Sequence, residues 1–314
     1  MENFRLKVFR TVARHLHFRR AAEELRLSQP AITGQIHALE EELETPLFDR
    51  SGGRVTLTPQ GEILLDYADR LHQMSEKALQ ALTTASGKIA GSLSIGASQT
   101  IGQYLLPYLL AGFLKKYPEI ALSTSGGNTE EVLEALAAHH VDIALIEGPA
   151  MRSDVKTEPF LEDHMVLVVP ADHPWAGSRI ALSDLLNAPL LARERGSGSR
   201  RVVETALEQA GLRKRDLNYR LRFDSTEGLL SAVEAGLGAA FVSRWAVRNQ
   251  LTLGTLKVAH VRGLKLSRMM SIATRSGPKP SGNAGAFHHF ILADANGLLP
   301  RVTGSPRVRK ASRI

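Results

Sequence analysis

Two groups of residues in this 314-residue chain have types and spacing that could do chemistry. The first lies between Phe18 and Arg50 and comprises Phe18-Arg-Arg-Ala-Ala-Glu-Glu-Leu25, Leu27-Ser-Gln-Pro-Ala-Ile-Thr-Gly-Gln-Ile36, Leu39-Glu-Glu-Glu-Leu43 and Pro46-Leu-Phe-Asp-Arg50. Ser28 is a good N-cap, and Pro30 falls in the first turn of the helix it opens, where a missing N–H costs little. Ala31, Ile32, Ile36, Leu39 and Leu43 recur at spacings of 3 and 4 and predict one apolar face. Gln29, Thr33, Gln35 and His37 then point elsewhere. Such short, polar, largely uncharged side chains suit hydrogen bonding to base edges in a major groove.

The second group offers anion chemistry. Ser98, Gln99 and Thr100 follow an apolar strand pattern and lead into a helix, so free backbone N–H groups and two hydroxyls converge there. Arg193-Glu-Arg-Gly-Ser-Gly-Ser-Arg-Arg201 repeats the theme. Gly196 and Gly198 let backbone amides face a ligand, Ser197 and Ser199 bring hydroxyls, and Arg195, Arg200 or Arg201 can grip a carboxylate, sulfur oxyanion or phosphate. Asp224-Ser225-Thr226 precedes another helix. Glu147 ends a strand nearby, and is read either as an acceptor for a ligand's donor or as the partner of an arginine. The simpler alternative for each serine and threonine is a helix cap.

The elements needed to hold these groups are legible in the periodicity. Phe4, Val8, Phe9, Val12 and Ala13 predict a helix ahead of the motif, giving three packed helices. Arg50 and Arg54 sit on a short hairpin around Gly52-Gly53 with Val55 and Leu57, a wing whose arginines are placed for phosphate or minor-groove contact. Thr58-Pro59 opens a helix that runs to about residue 86, roughly 40 Å at the α-helical rise. Leu64, Ala68, Leu71, Ser75, Ala78 and Leu82 mark a seam on it for a second copy. From residue 92 strands alternate with helices, with strands at Leu93–Ala97, Ala121–Ser125 and Asp142–Ile146 and helices at Ile101–Tyr117 and Glu130–His139. That order predicts a parallel sheet in each of two α/β lobes, with a cleft between them and chain crossings near Glu162 and Leu264. In the second lobe, strands are expected at Met165–Val169 and Ala239–Val242 and helices near Ser183, Ser199 and Ser225. A strand at Met269–Thr274 and a helix over about 285–296 follow.

Composition narrows the function classes. The formal net charge is +7, yet residues 1–60 carry nine Lys or Arg against eight Asp or Glu, so any DNA-facing positive surface there comes from arrangement and not from excess. Absence of cysteine excludes disulfides and thiolate metal sites and fits a reducing compartment. No window approaches the ~20 apolar residues of a membrane span, and a cytoplasmic protein is expected. No catalytic or metal set emerges: Gly-Ser-Gly lacks the Gly-x-Ser-x-Gly elbow, and His139-His140 and His288-His289 have no ligand cluster beside them. No cofactor is expected. The basic tail, 301–314, reads as a solvated disordered end or as a phosphate contact.

Taken together, the chain resembles the LysR-type transcriptional regulators. The resemblance covers roughly residues 2–300 and rests most on Ala21-Ala22-Glu-Glu-Leu25, Ser28-Gln-Pro-Ala-Ile-Thr33, Gln35-Ile36, Pro46-Leu-Phe48, Arg50 and Leu57-Thr-Pro-x-Gly61. It implies an α/β chain built from a winged helix-turn-helix (1–58), a linker and dimerisation helix (59–90) and a two-lobed effector domain like periplasmic binding proteins (91–300). Lobe one would take 91–162 plus 266–300, and lobe two 163–265. It further implies binding of double-stranded operator DNA as a dimer of dimers, and RNA polymerase is a candidate partner; beside it, Arg19 or Arg20 is expected to hold phosphate. Effector positions implied by the family fall on Ser98, Thr100, the Gly196–Arg200 loop and Ser225-Thr226, and that loop looks most like the branch sensing sulfur oxyanions or carbon-fixation metabolites. Two departures stand out: Arg19 replaces a usual Ser or Thr cap, and Glu44 a usual helix-ending Gly.

Overall fold

The computed structural model describes residues 3–51, 54–85 and 89–299. They fall into two compact units, within Met1–Ser86 and Gly87–Ile314. The first opens with three helices, α1 (Phe4–His15), α2 (Phe18–Leu25) and α3 (Gln29–Glu42). Their apolar faces meet in one core, with Val8, Phe9, Val12, Ala21, Ile32 and Ile36 fully buried. A two-stranded wing, β1 (Phe48–Asp49) and β2 (Thr56–Leu57), pairs Phe48 with Leu57 and sends the Phe48 ring against Phe9 and Phe18 at 5.4 and 5.8 Å. Gly52 and Gly53, expected in the wing turn, lie outside the described residues.

Three local expectations change here. Ala31 and Leu43 are exposed, so the buried stripe of α3 is Ile32, Ile36 and Leu39 alone. The cap of α2 is His17, whose Nδ1 accepts the Arg20 N–H at 3.4 Å, and Arg19 sits inside the helix. Glu44 does what glycine would do: its φ of 51° is left-handed, and the Thr45 N–H returns to the Glu40 carbonyl at 3.0 Å to close α3.

Helix α4 (Pro59–Ala85) begins as Thr58-Pro59 predicts, the Thr58 hydroxyl accepting the Gly61 N–H at 3.0 Å and donating to the Pro46 carbonyl at 2.8 Å. Gly61 is required by space, since a Cβ there would lie 2.2 Å from the Leu47 carbonyl oxygen. The expected seam divides. Ala68 is buried in this unit's core with Leu64 packed beside it, whereas Ile63, Tyr67, Leu71, Met74 and Leu82 are exposed apolar side chains.

The second unit carries lobe one first: β3 (Gly91–Ser98), α5 (Gln99–Tyr104), α6 (Leu106–Lys116), β4 (Ile120–Gly127), α7 (Thr129–Ala137) and β5 (Ile143–Glu147). The helix expected over 101–117 is broken at Leu105, because Pro107 is confined to the first turn of a new helix. The 16-residue β6 (Val155–Pro170) runs through both lobes. Lobe two adds β7 (Arg179–Ile180), β8 (Leu190–Arg193), α8 (Gly198–Gln209), β9 (Tyr219–Phe223), α9 (Thr226–Glu234), β10 (Ala239–Ser243), α10 (Arg248–Leu253) and β11 (Leu256–Val261), with 3-10 turns at Leu182–Leu186 and Lys214–Asp216. The chain returns to lobe one as β12 (Ser267–Arg275) and α11 (Gly282–Leu298).

Strand order is β4-β3-β5-β12-β6-β10-β8-β9. The expected parallel pairing holds for β4-β3-β5 and β10-β8-β9, but β12 and β6 run antiparallel to their neighbours. They are the crossing strands, and need no helical crossover. β6 pairs with β12 up to His164 and with β10 from Met165, which places the crossing there and the return at Ser267. Lobe one is tied off by α11, where Phe287 meets Phe113 edge-on at 5.0 Å and Asn283 donates to the Ala90 and Ser92 carbonyls, each at 3.0 Å.

Candidate functional site

On the first unit, Ser28, Gln29, Pro30 and Ala31 form an exposed N-terminal turn of α3, with Ser28 Oγ accepting the Ala31 N–H at 3.3 Å. Thr33 is half-buried and donates its hydroxyl hydrogen to the Gln29 carbonyl at 3.0 Å, which leaves the oxygen as an acceptor. Gln35 is also half-buried, while His37 is exposed and 3.3 Å from Glu41. Gly34, which the sequence pattern did not single out, is exposed with open space over it. Arg19 is exposed and paired with Glu23 at 3.2 Å; Arg20 and Arg54 are exposed. Arg50 is held in place, its guanidinium 4.6 Å over the Phe18 ring and 3.5 Å from Glu40. Glu40 also accepts the Leu47 and Phe48 N–H groups at 2.8 and 3.2 Å, fixing the wing to α3.

In the second unit the expected cleft residues converge on a guanidinium that sequence reasoning missed. Arg268, 1% exposed on its side chain, lies in register opposite Asp163 and its Nε donates to that carboxylate at 2.8 Å. Its Nη2 meets Glu147 at 2.5 Å, Nη1 donates to the Ser199 hydroxyl at 2.7 Å and Nη2 reaches the Thr100 hydroxyl at 3.4 Å. Glu147 in turn accepts the Thr100 backbone N–H at 3.2 Å and the Ser199 hydroxyl at 3.3 Å, and Asp163 accepts from Ser243 at 2.8 Å. Burial pushes the Glu147 carboxyl up, but Arg268 and the Thr100 N–H outweigh it and hold it below the usual carboxylate range. At Asp163 burial wins over Arg268 and Ser243, and the carboxyl is raised. Arg268 is itself raised, its two carboxylates overcoming burial.

Other expected residues divide into caps and linkers. Ser197 and Ser225 cap α8 and α9, accepting the Arg200 and Gly228 N–H groups at 3.4 and 3.0 Å. Ser98 does not cap: its hydroxyl is fully buried and has no partner among the described residues. Gln99 spans the lobes, donating to the Asp224 carbonyl at 2.6 Å and accepting the Thr226 N–H at 3.1 Å. Tyr104 makes a second span to Glu227. Gly198 presses on lobe one, where a Cβ would lie 1.9 Å from the Glu147 carbonyl oxygen, and Gly196 sits beside Asn128.

Arg200 points into lobe two. It is buried, paired with Glu204 at 2.6 Å and donating to the Arg193 carbonyl at 3.2 Å. Arg193 takes the position nearer the cleft, bonded to Glu194 at 2.8 Å and to the Thr226 hydroxyl at 2.7 Å. A cavity of about 540 Å³ opens between the lobes, lined by Gln99, Gln103, Ser125, Glu131, Glu194 and Asp224 among others, with no Lys or Arg among its described lining residues. The signal for Arg268 was an arginine inside an apolar strand at the inward parity shared by Met270, whereas Arg193 ends the fully buried β8.

Among the described residues no helix is long and apolar enough to cross a membrane, and no group of three His, Cys, Asp or Glu residues is placed to hold a metal ion. Residues 4–62 match the family described as bacterial regulatory helix-turn-helix protein, lysR family, and residues 86–296 match the LysR substrate binding domain. Over 291 residues the chain is 36% identical to a probable RuBisCO transcriptional regulator of Cyanidioschyzon merolae, spanning 91% of this chain and 96% of that protein. It is 38% identical over 267 residues to the HTH-type transcriptional regulator CysL of Bacillus subtilis, spanning 85% and 88%. The regulatory domain of Synechocystis PCC6803 CcmR, solved in complex with 2-PG, aligns with a TM-score of 0.61 at 25% identity over 67% of this chain and 100% of that one. With a helix-turn-helix in one unit and an interlobe cleft in the other, the chain belongs to the LysR family of transcriptional regulators, DNA-binding proteins with effector-binding domains and not enzymes.

Proposed function

We propose that a small anion, a sulfur oxyanion, carboxylate or phosphorylated metabolite, is the effector, and that it binds between the lobes among Ser98, Thr100, Ser199 and Arg268. The observation that carries this reading is the buried Arg268 guanidinium, bonded at once to the Thr100 hydroxyl of lobe one and the Ser199 hydroxyl of lobe two. An anion there changes the interactions of both lobes together, so it shifts the lobe angle by its differential affinity for the two arrangements. Ser98 supplies an unused hydroxyl. Similarity to a domain solved with 2-PG supports the same class. Ser225, Gly196 and Ser197 shape the surrounding loops, and Gln99 and Thr226 latch them.

At the other end, Gln29, Thr33 and Gln35 read bases from α3, while Arg19, Arg20, Arg50 and Arg54 hold phosphates. The exposed stripe of Ile63, Tyr67, Leu71, Met74 and Leu82 on α4 supports a homodimer through that helix, and a dimer of dimers on a cytoplasmic operator. RNA polymerase is the partner to test by transcription in vitro. A thermal-shift screen of anions tests the effector; absence of any stabilising anion rejects it. Footprinting beside the protein's own gene tests the operator. Gln29→Ala with Thr33→Ala should weaken operator binding by roughly 1–3 kcal/mol for each base pair no longer read, and relax sequence preference. Unchanged operator affinity and selectivity would show that α3 is not the reader.

A further inference from the structure

An anion arriving at Arg268 finds its place taken. Glu147 closes β5 and is 3% exposed. One of its carboxylate oxygens accepts the Thr100 N–H at 3.2 Å; the other accepts the Ser199 hydroxyl at 3.3 Å and meets Arg268 at 2.5 Å. Thr100 belongs to lobe one and Ser199 to lobe two, so a single side-chain carboxylate already bridges the donors assigned above to the effector.

Neutralising Arg268 does not account for the two further donors that Glu147 engages from opposite lobes, the Thr100 N–H and the Ser199 hydroxyl. Asp163 pairs with the same guanidinium at 2.8 Å and is 1% exposed. One buried cation therefore faces two buried carboxylates. Arg193, the next cation, also lowers Glu147 but is itself bonded to Glu194 through two nitrogens at 2.8 and 2.9 Å.

We infer that Glu147 is an internal stand-in for the effector, its carboxylate occupying the anion position between the lobes, and that an anionic effector binds by displacing it from Ser199 and Arg268. This rests on the anion reading of the cleft. Binding is then a competition, and apparent affinity is set by the fraction of molecules in which Glu147 has swung away. The device rejects anions that offer no more than a carboxylate's two oxygens and admits those that also engage further donors such as the Ser98 hydroxyl.

The test uses the full chain, with inorganic sulfate titrated against chloride at constant ionic strength and thermal stability as the readout. Glu147→Gln keeps the shape and an acceptor for the Thr100 N–H and removes the charge, so it should bind sulfate at least tenfold more tightly than wild type. Glu147→Ala empties the position, and sulfate or acetate should restore its melting temperature, or its refolding yield if it does not fold unaided, by several times the effect on wild type. Comparison with wild type removes the general stabilisation that sulfate gives to proteins. If sulfate binds wild type and binding is abolished in Ser199→Ala, yet Glu147→Gln is no tighter and Glu147→Ala is not rescued, Glu147 is no competitor and the anion site stands without it. If neither sulfate nor inorganic phosphate shifts any of these proteins, the anion reading and this inference fall together.

Discussion

Arg268→Met removes a guanidinium 1% exposed and leaves Glu147 and Asp163, 3% and 1% exposed, without their shared cation. Methionine fills most of the same volume, so the cost is electrostatic and not a cavity. Breaking a buried ion pair by deleting one partner costs about 3–5 kcal/mol, which for a unit of this size lowers its melting temperature by roughly 6–20 °C. Tryptophan fluorescence during urea unfolding isolates the loss, because Trp175 and Trp245 both lie in the second unit. Combining Arg268→Met with Glu147→Gln and Asp163→Asn removes the stranded charges and should recover more than half of it.

The pH dependence carries a sign. In the native protein Glu147 is depressed, so its contribution is present above its unfolded pKa and fades as pH falls through the folded value; Asp163 is raised and contributes the opposite way. In Arg268→Met both carboxyls lose the group that lowers them, and the folded state binds more protons than the unfolded. Stability of the variant should therefore rise as pH falls from about 7 to about 5, narrowing its gap from wild type. A loss under about 1 kcal/mol, or a gap that widens in acid, would refute the account of this cluster.

Three further substitutions test the scaffold. Glu44→Gly relieves a left-handed φ of 51° and should stabilise the helical unit by about 0.5–1 kcal/mol in a far-UV melt, and destabilisation would contradict the assigned α3 terminus. Gly61→Ala drives a Cβ to 2.2 Å from the Leu47 carbonyl, and roughly 1–3 kcal/mol should be lost from the same transition. Gly198→Ala puts a Cβ 1.9 Å from the Glu147 carbonyl and 2.5 Å from the Thr129 hydroxyl, so it should push α8 off lobe one at a similar cost, read by tryptophan fluorescence. An unshifted transition would mean that the two segments do not pack as described.

Legibility followed the range of the interactions. The helix-turn-helix was readable because its determinants are local: the Ser28 cap, Pro30, and Ile32, Ile36 and Leu39 at helical spacing all act within a few residues. Its errors were local too. His17 caps α2 through a ring nitrogen, an acceptor outside the usual cap residues, and Leu43 extends the apolar period past the end of the core. β7, β8, β9 and β11 went unread: β7 and β8 are only two and four residues long, and β9 keeps none of its five residues buried.

The cleft shows the other limit. Ser98, Thr100, Glu147 and Ser199 were identifiable as hydrogen-bonding groups at strand ends and helix starts, which the chain places by itself. Which of them would cap, which would bridge, and that Arg200 would turn away were decided elsewhere. Arg268 and Asp163 are 105 positions apart and meet because β12 and β6 pair in that register, and β6 in turn brings Ser243 from lobe two. Residue type and spacing determined the helices, the capping hydroxyls and the polar face of α3, since these obey interactions a few residues long. Only the tertiary structure decided which charge met which, because a buried guanidinium takes whatever carboxylates the strand register sets beside it, and that register is a property of the whole sheet.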